Sequence, residues 1–224
     1  AGGQQAIAGA VSIERVEIPA VTKYDWDHRG RLDTVTFKDD AGNKTKEIKY
    51  YYNVFDQQIG RRAQDFEQQN GATQVSNTKF EGYVKEGHTT ILELNEAAQL
   101  TKRYLVGVFG EIFAVDIRDQ EQQLQTRWAV TDYQDNVVFW LKEDVQHQFI
   151  VDQQITYSVF GLPTQIGSDL DLEAMMKGSS FDFITRLYTD GGRVYDPQFK
   201  RYLSENPAGI SAINLYAYAA NSPV

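Results

Sequence analysis

Arg193-Val194-Tyr195-Asp196-Pro197, Arg201-Tyr202-Leu203-Ser204-Glu205-Asn206-Pro207-Ala208-Gly209, Asn214-Leu215-Tyr216-Ala217-Tyr218 and Asn221-Ser222-Pro223-Val224 follow one another at the C-terminal end of the chain. Each block is a turn set between very short apolar pieces. Proline fixes φ and removes a donor, while Asp, Asn and Gly supply the side-chain bonds and left-handed geometry that tight turns need. Such spacing leaves room only for short strands.

Working back from this end, the same grammar recurs. Tyr24-Asp25-Trp26-Asp27-His28-Arg29-Gly30-Arg31-Leu32 through Phe37 places Gly30 between two stretches that alternate large apolar and polar residues. That period of two is the mark of paired strands. Asp39-Asp40-Ala41-Gly42-Asn43 makes the next turn and leads into Lys49-Tyr50-Tyr51-Tyr52-Asn53-Val54-Phe55-Asp56-Gln57-Gln58-Ile59-Gly60. A third unit ends at Tyr157-Ser158-Val159-Phe160-Gly161-Leu162-Pro163-Thr164. Gly30, Gly42 and Gly161 are therefore expected to set hairpin turns. The aromatic residues read as sheet packing, since aromatic and β-branched side chains suit a half-buried pleated surface. One helix is expected near the end, capped by Asp169 or Asp171, running over Leu172–Lys177 and stopped by Gly178.

The repeated units resemble the YD repeat, roughly Y-D-x-x-G-R-L followed by a turn and Y-x-Y-D-x-x-G. The C-terminal blocks resemble the end of the Rhs-repeat-associated core, R-x-Y-D-P-x-x-G-R-F-L-S-x-D-P-x-G and then N-L-Y-x-Y-x-x-N-x-P. Lys79–Tyr83, Leu92–Asn95 and Lys102–Leu105 are similar to that family's tyrosine-rich ladder. Trp128-Ala129-Val130-Thr131-Asp132-Tyr133-Gln134-Asp135-Asn136-Val137 is similar to its W-L-x-T-D-x-x-G-S-V block, with Asp135-Asn136 where Gly-Ser is commoner. Ser158 stands where the family usually has Asp. The resemblance covers roughly residues 22–224. It implies an all-β fold of YD-repeat hairpins in a curved, spiralling sheet, a partial shell. Residues 1–21 would lead in, 22–165 would form the sheet region and 166–224 the closing segment.

Composition narrows the chemistry. The 224 residues carry a net charge of −9, which argues against a phosphate-binding surface. The same balance sets aside the alternative use of the aromatics as a base-stacking platform. There are no cysteines, so thiolate metal sites, thiol catalysis and disulfides are excluded and the compartment stays open. No run of eighteen apolar residues occurs, and Ala1-Gly2-Gly3-Gln4-Gln5 lacks the form of a signal peptide, so it reads as an internal segment or a processed end. His28, His88 and His147 lie far apart, and neither a phosphate-cradling loop nor a nucleophile elbow is present. Asp169-Leu170-Asp171-Leu172-Glu173 could offer oxygens to calcium but reads better as a solvated edge or helix start. No cofactor and no metal are expected.

The family resemblance also carries one catalytic possibility. Rhs-core proteins and the related C components of Tc toxins often cut themselves just beyond this region with an aspartyl-protease-like site, in which two carboxylates share a proton. Here Asn206-Pro207 stands in place of Asp-Pro, and an amide does not ionise. The expectation is therefore a structural protein with no catalytic residues. The resemblance implies a shell that encloses or presents a polymorphic toxin, with other shell segments or chains and a toxin cargo as partners. It also implies export from a bacterium or display at its surface. A cargo of about 100 residues has a radius of gyration near 13 Å, and a sheet around it has an area of roughly 6,000 Å². At about 16 Å² per strand residue, this chain covers only about 3,600 Å², too little to enclose such a cargo alone. An adhesion module, teneurin-like and using a sheet edge to hold a glycan or protein, is the alternative. A residual self-cleaving enzyme ranks third. The architectural residues expected to matter are Gly30, Gly42, Gly161, Tyr195, Asp196, Pro197, Arg201, Asn206, Pro207, Asn214, Tyr216 and Tyr218.

Overall fold

The computed structural model describes residues 21–69, 71–87, 89–108, 110–118, 123–167, 172, 175–176, 179–190, 193–205 and 216–217. Twelve antiparallel strands follow in sequence order. The first six are β1 (Val21–Trp26), β2 (Leu32–Lys38), β3 (Lys44–Tyr52), β4 (Gln58–Gln69), β5 (Ala72–Glu86) and β6 (Thr89–Asn95). Then come β7 (Leu100–Val106), β8 (Ile112–Arg118), β9 (Leu124–Thr131), β10 (Val137–Glu143), β11 (Phe149–Tyr157) and β12 (Pro163–Gly167). Each strand pairs with the next, so the sheet is a meander with β1 and β12 at its two edges. A second, five-stranded antiparallel sheet contains β13 (Met175–Met176), β14 (Ser179–Asp182), β15 (Leu187–Asp190), β16 (Arg193–Asp196) and β17 (Arg201–Tyr202). The fold is all-β, with an unclosed large sheet.

One local device makes most of the hairpins. In the loops 27–31, 39–43, 53–57, 95–99, 107–111, 132–136, 144–148 and 158–162, the first N–H donates to the fifth carbonyl and the fourth N–H donates to the first. The fourth residue always has positive φ: Gly30, Gly42, Asp56, Ala98, Gly110, Asp135, His147 and Gly161. This is the turn-plus-bulge hairpin, in which a left-handed residue restores strand twist after a tight turn. The first residue supplies the second half of the device. Oδ1 of Asp27, Asn53, Asn95, Asp132 and Asp144 each accepts from the N–H groups two and four residues on. Ser158 Oγ accepts from the Leu162 N–H at 3.0 Å, so the hydroxyl substitutes for the carboxylate in part. Asp132→Ala is expected to cost about 1–2 kcal/mol in urea denaturation, because the Gln134 and Asn136 N–H groups and the Asn136 side chain lose their acceptor together.

The helix expected over Leu172–Lys177 is not formed. Met175 and Met176 are instead strand, paired with Ser180 and Ser179 and both buried. A six-residue helix nucleates poorly in isolation, whereas an extended pair lets both methionines reach the core.

The two sheets interlock. Leu187 and Val194 of the small sheet pack with Leu32, Val35, Phe37, Ile48 and Tyr50 of β2 and β3. Their sequence neighbours Tyr188 and Tyr195 point the other way, as alternation requires. Together with Phe181, Tyr202 and the two methionines, they pack with Tyr104, Ile112, Val115, Ile117, Val137, Trp140 and Ile155 of β7–β11. The large sheet therefore curls so that one of its faces covers both faces of the small sheet. Phe181, Tyr188, Tyr195 and Tyr202 are directly opposed on β14–β17 and form a cross-strand aromatic ladder, with centroid separations of 4.9, 6.2 and 5.5 Å. Such pairs add about 0.5–1.5 kcal/mol each beyond their buried area.

Candidate functional site: a polar seam where the sheet bends

Between the two apolar contact zones, the inner face of the large sheet turns polar. Register explains how. Tyr50, Arg61 and Glu81 are directly opposed on β3, β4 and β5, and Tyr83, Glu93 and Lys102 on β5, β6 and β7. These two rows line a cavity of about 320 Å³ together with Tyr104 and, from the small sheet, Phe181, Asp182 and Phe183.

Arg61 is the centre of the seam. Its Nε donates to Glu81 Oε2 at 2.6 Å and its Nη1 lies 2.6 Å from Asp182 Oδ2, so one guanidinium joins the two sheets. The three side chains are 12–16% exposed. Tyr83 Oη donates to Glu81 at 3.0 Å, and Lys79 lies 2.8 Å from the same carboxylate. Further along, Tyr104 Oη donates to Glu93 at 2.8 Å, with Lys102 at 3.3 Å. Asp182 in turn caps the β14–β15 turn, accepting from the Ile184 N–H and the Thr185 hydroxyl.

Burial raises the Glu81 carboxyl, but Arg61 and Lys79 more than offset this and hold it at about 2. Burial pushes the phenols of Tyr50 and Tyr83 well above the usual value, although Arg61 opposes the shift in both. A second ionic group sits on the buried face at β9–β11. Arg127 Nε donates to Asp152 at 2.5 Å and Lys142 lies 2.7 Å away. Burial raises the Asp152 carboxyl, and the two cations overcome that, so the net shift is downward. These arrangements bind charge to charge and favour the ionised form of Glu81 and Asp152. Among the described residues, no group of three or more His, Cys, Asp or Glu could hold a metal ion.

The residues singled out in the sequence fall elsewhere. Gly30, Gly42 and Gly161 occupy the left-handed position of their turns, with φ of 74°, 83° and 84°. Tyr195 and Asp196 end β16 and Pro197 opens the turn after it, all buried. Tyr195 Oη donates to the Phe160 carbonyl at 2.8 Å and Tyr188 Oη to the Gly161 carbonyl at 2.6 Å, which ties the small sheet to the β11–β12 turn. Asp196 Oδ1 accepts from the Gln198 and Phe199 N–H groups. The Arg201 guanidinium lies over the Tyr216 ring, whose hydroxyl donates to Glu205. Asn206, Pro207, Asn214 and Tyr218 lie outside the described residues. None of the described ones lines the seam. The polar rows of the seam went unsingled, although Glu81, Tyr83, Glu93 and Lys102 stand on strands where an inward apolar residue is the ordinary choice.

Burial raises the Asp196 carboxyl above its ordinary value, against the two N–H donors. An acid raised in the fold holds its proton longer there than in the unfolded chain. Its contribution to stability is thus greatest at low pH and is lost as pH rises from the unfolded value through the raised one. Asp196→Asn keeps an oxygen acceptor and removes this loss. Its stability relative to the unmodified chain is expected to improve between pH 3 and pH 7, as read by thermal melts.

No protein-family model and no curated protein matches the sequence. Solved structures do share the fold. A Photorhabdus luminescens Tc holotoxin pore matches with a TM-score of 0.64 and 22% identity, over 91% of this chain and 10% of that one. A crystal structure of TcdB2-TccC3 matches with a TM-score of 0.64 and 22% identity, over 90% of this chain and 10% of that one. TcdB2-TccC3 without its hypervariable C-terminal region gives 0.63 and 23%, over 91% and 10%. The chain spans about a tenth of the length of these neighbours. Its curled sheet and five-stranded insert thus have the fold of one section of a Tc toxin chain.

Proposed function

We propose that this chain is a non-catalytic closing section of an Rhs-type β-shell, which encloses or presents a toxin or effector made elsewhere in the assembly. The observation that carries this reading is the curled twelve-stranded sheet filled by its own five-stranded insert. The filling leaves a cavity of about 320 Å³, far below the volume of a protein cargo, so the section closes a space rather than providing one. Its two edge strands, β1 and β12, offer the main-chain groups to which further shell strands would add. The opposite face supports the same reading. Leu105, Ala114, Trp128, Leu141 and Val151 form one cross-strand row there, and Leu105, Trp128 and Val151 are exposed. An exposed apolar row of this kind marks contact with further structure.

The seam favours a structural role as well. A shared-proton pair needs one carboxylate to stay protonated, and Glu81 is held ionised down to about pH 2. The neighbouring toxin assemblies support shell chains and a toxin cargo as partners, and one of those structures, TcdB2-TccC3-Cdc42, includes Cdc42. Export or surface display follows from the same reading.

Electron microscopy and intact mass of the protein from its natural source test it. A large particle with a hollow β-shell, closed at one end by this section, is expected. A species near 25.5 kDa that co-purifies with no shell chain would sink the proposal.

A further inference from the structure

We propose that the seam cavity is a saccharide site, which takes one neutral sugar ring between the large sheet and the β14–β15 turn. The inference is independent of the shell reading, since the pocket makes no use of the sheet edges. Its volume, about 320 Å³, falls at the lower end of the roughly 300–1,000 Å³ of small-molecule sites. Its walls mix two chemistries. Tyr83, Tyr104, Phe181 and Phe183 give flat apolar surface, and ionic side chains stand between them. Phe183 and Ile184, 39% and 37% exposed, line the cavity from the turn and bring it to the surface. Phe183 is held nearly perpendicular to Phe181, with centroids 5.0 Å apart. That contact fixes a partly exposed aromatic ring on which the C–H side of a sugar would stack.

The charges select the ligand. Arg61, Lys79, Lys85 and Lys102 share the lining with Glu81, Glu93 and Asp182, and each of the three carboxylates has a cation within 3.3 Å. An anionic ligand would add a fourth negative charge, and Glu81, held at about 2, does not make room by taking a proton. A cationic ligand would meet four like charges. Either would have to displace one partner of an ion pair and leave the other uncompensated, which is the costly outcome. A neutral polyol leaves the pairs intact. Its hydroxyls both donate and accept, and the seam offers both functions side by side. Arg61 uses Nε for Glu81 and Nη1 for Asp182. Its Nη2 donates to no described residue and is not sealed from solvent, on a side chain only 16% exposed. Glu81 takes Arg61 and Tyr83 on Oε2, while Oε1 has the largely exposed Lys79 ammonium at 2.8 Å. Oε1 therefore keeps a lone pair for a further donor. Arg61 and Glu81 are directly opposed on β4 and β5, so a free donor and a free acceptor stand together as two neighbouring hydroxyls of a sugar require.

Two-dimensional NMR of the whole chain tests this, with D-glucose, D-galactose, D-mannose and N-acetyl-D-glucosamine as probes. Benzoate and tetramethylammonium serve as the anionic and cationic comparisons. At least one of the sugars is expected to bind with a dissociation constant in the millimolar range and to shift the Arg61 side-chain N–H signals. Benzoate and tetramethylammonium should leave those signals in place. Arg61→Lys keeps the charge beside Asp182 but removes Nη2, and should weaken the sugar at least tenfold. Phe183→Ala, on the exposed turn and outside the ion pairs, should do the same in a chain that still melts cooperatively. Binding of none of the four sugars would overturn the proposal, as would sugar binding unaffected by Phe183→Ala or tighter binding of benzoate or tetramethylammonium than of any sugar.

Discussion

Arg61→Ala is expected to lower the unfolding free energy by about 3–5 kcal/mol, because it leaves two carboxylates, Glu81 and Asp182, without their shared cation in a mostly buried site. For a chain of this size, that corresponds to a fall of about 6–20 °C in the melting temperature, followed by circular dichroism. The pH dependence identifies the cause. In the unmodified chain, Glu81 titrates at about 2 in the fold against an ordinary 4.5. Its contribution is therefore complete above the ordinary value and is lost as pH falls toward 2. Without Arg61, burial dominates and pushes the carboxyl up, so the variant gains relative stability on acidification. The gap between the two proteins should narrow between pH 7 and pH 4. A gap that stays constant would mean that the guanidinium acts by packing alone. Glu81→Gln in the Arg61→Ala background should recover part of the loss at pH 7.

Gly161→Val is expected to cost about 2–6 kcal/mol, combining left-handed strain of about 1–3 kcal/mol with overpacking of about 1–3 kcal/mol. Its φ is 84°, and an added Cβ would run into the Met176 side chain, with Tyr188 next to it. Gly30 is the comparison. It has φ of 74°, but an added Cβ there meets nothing within 4 Å, so Gly30→Val carries the strain without the collision. Thermal melts of the two variants separate the terms. A Gly161→Val protein no less stable than Gly30→Val would refute the role given to Met176. The contrast matters because Gly161 lies where the large sheet's last hairpin meets the insert, through its carbonyl and the Tyr188 hydroxyl.

The strands and turns were legible because both are local. Alternation at Tyr24–Phe37 and the Asp-x-x-Gly spacing at Asp27 and Asp39 depend only on neighbours in sequence, and β1–β3 form where those signals stand. Ser158 and Asp135 stand in turns because a hydroxyl or a carboxylate residue can fill the same positions at some cost. Asp56, Ala98 and His147 were not visible as left-handed residues, since nothing in their identity marks them. The turn imposes that conformation once its flanking strands pair. Leu172–Lys177 failed for a related reason: capping and propensity favour a helix, and burial of Met175 and Met176 against two sheets outweighs both. The polar seam was illegible because it is a product of register. Arg61, Glu81 and Asp182 are separated by 20 and more positions in sequence, and only the pairing of β3 through β7 with the curl of the sheet brings them into line.

The order in which the two sheets occur along the chain bears on how the molecule is made. Every strand pairing of the meander joins strands that are consecutive in sequence, so each strand can pair with its predecessor as it leaves the ribosome. The insert that fills the curl follows the meander, from Met175 to Tyr202. A nascent chain halted at Gly167 would hold a paired sheet with Val35, Ile48, Trp140 and Ile155 uncovered on its inner face. Those side chains would be open to water and to any other sticky surface in the cell. Until Met175–Tyr202 has been made, the sheet therefore stays a client for chaperones, and a chain lacking that stretch would hold a sheet with no filling to curl around.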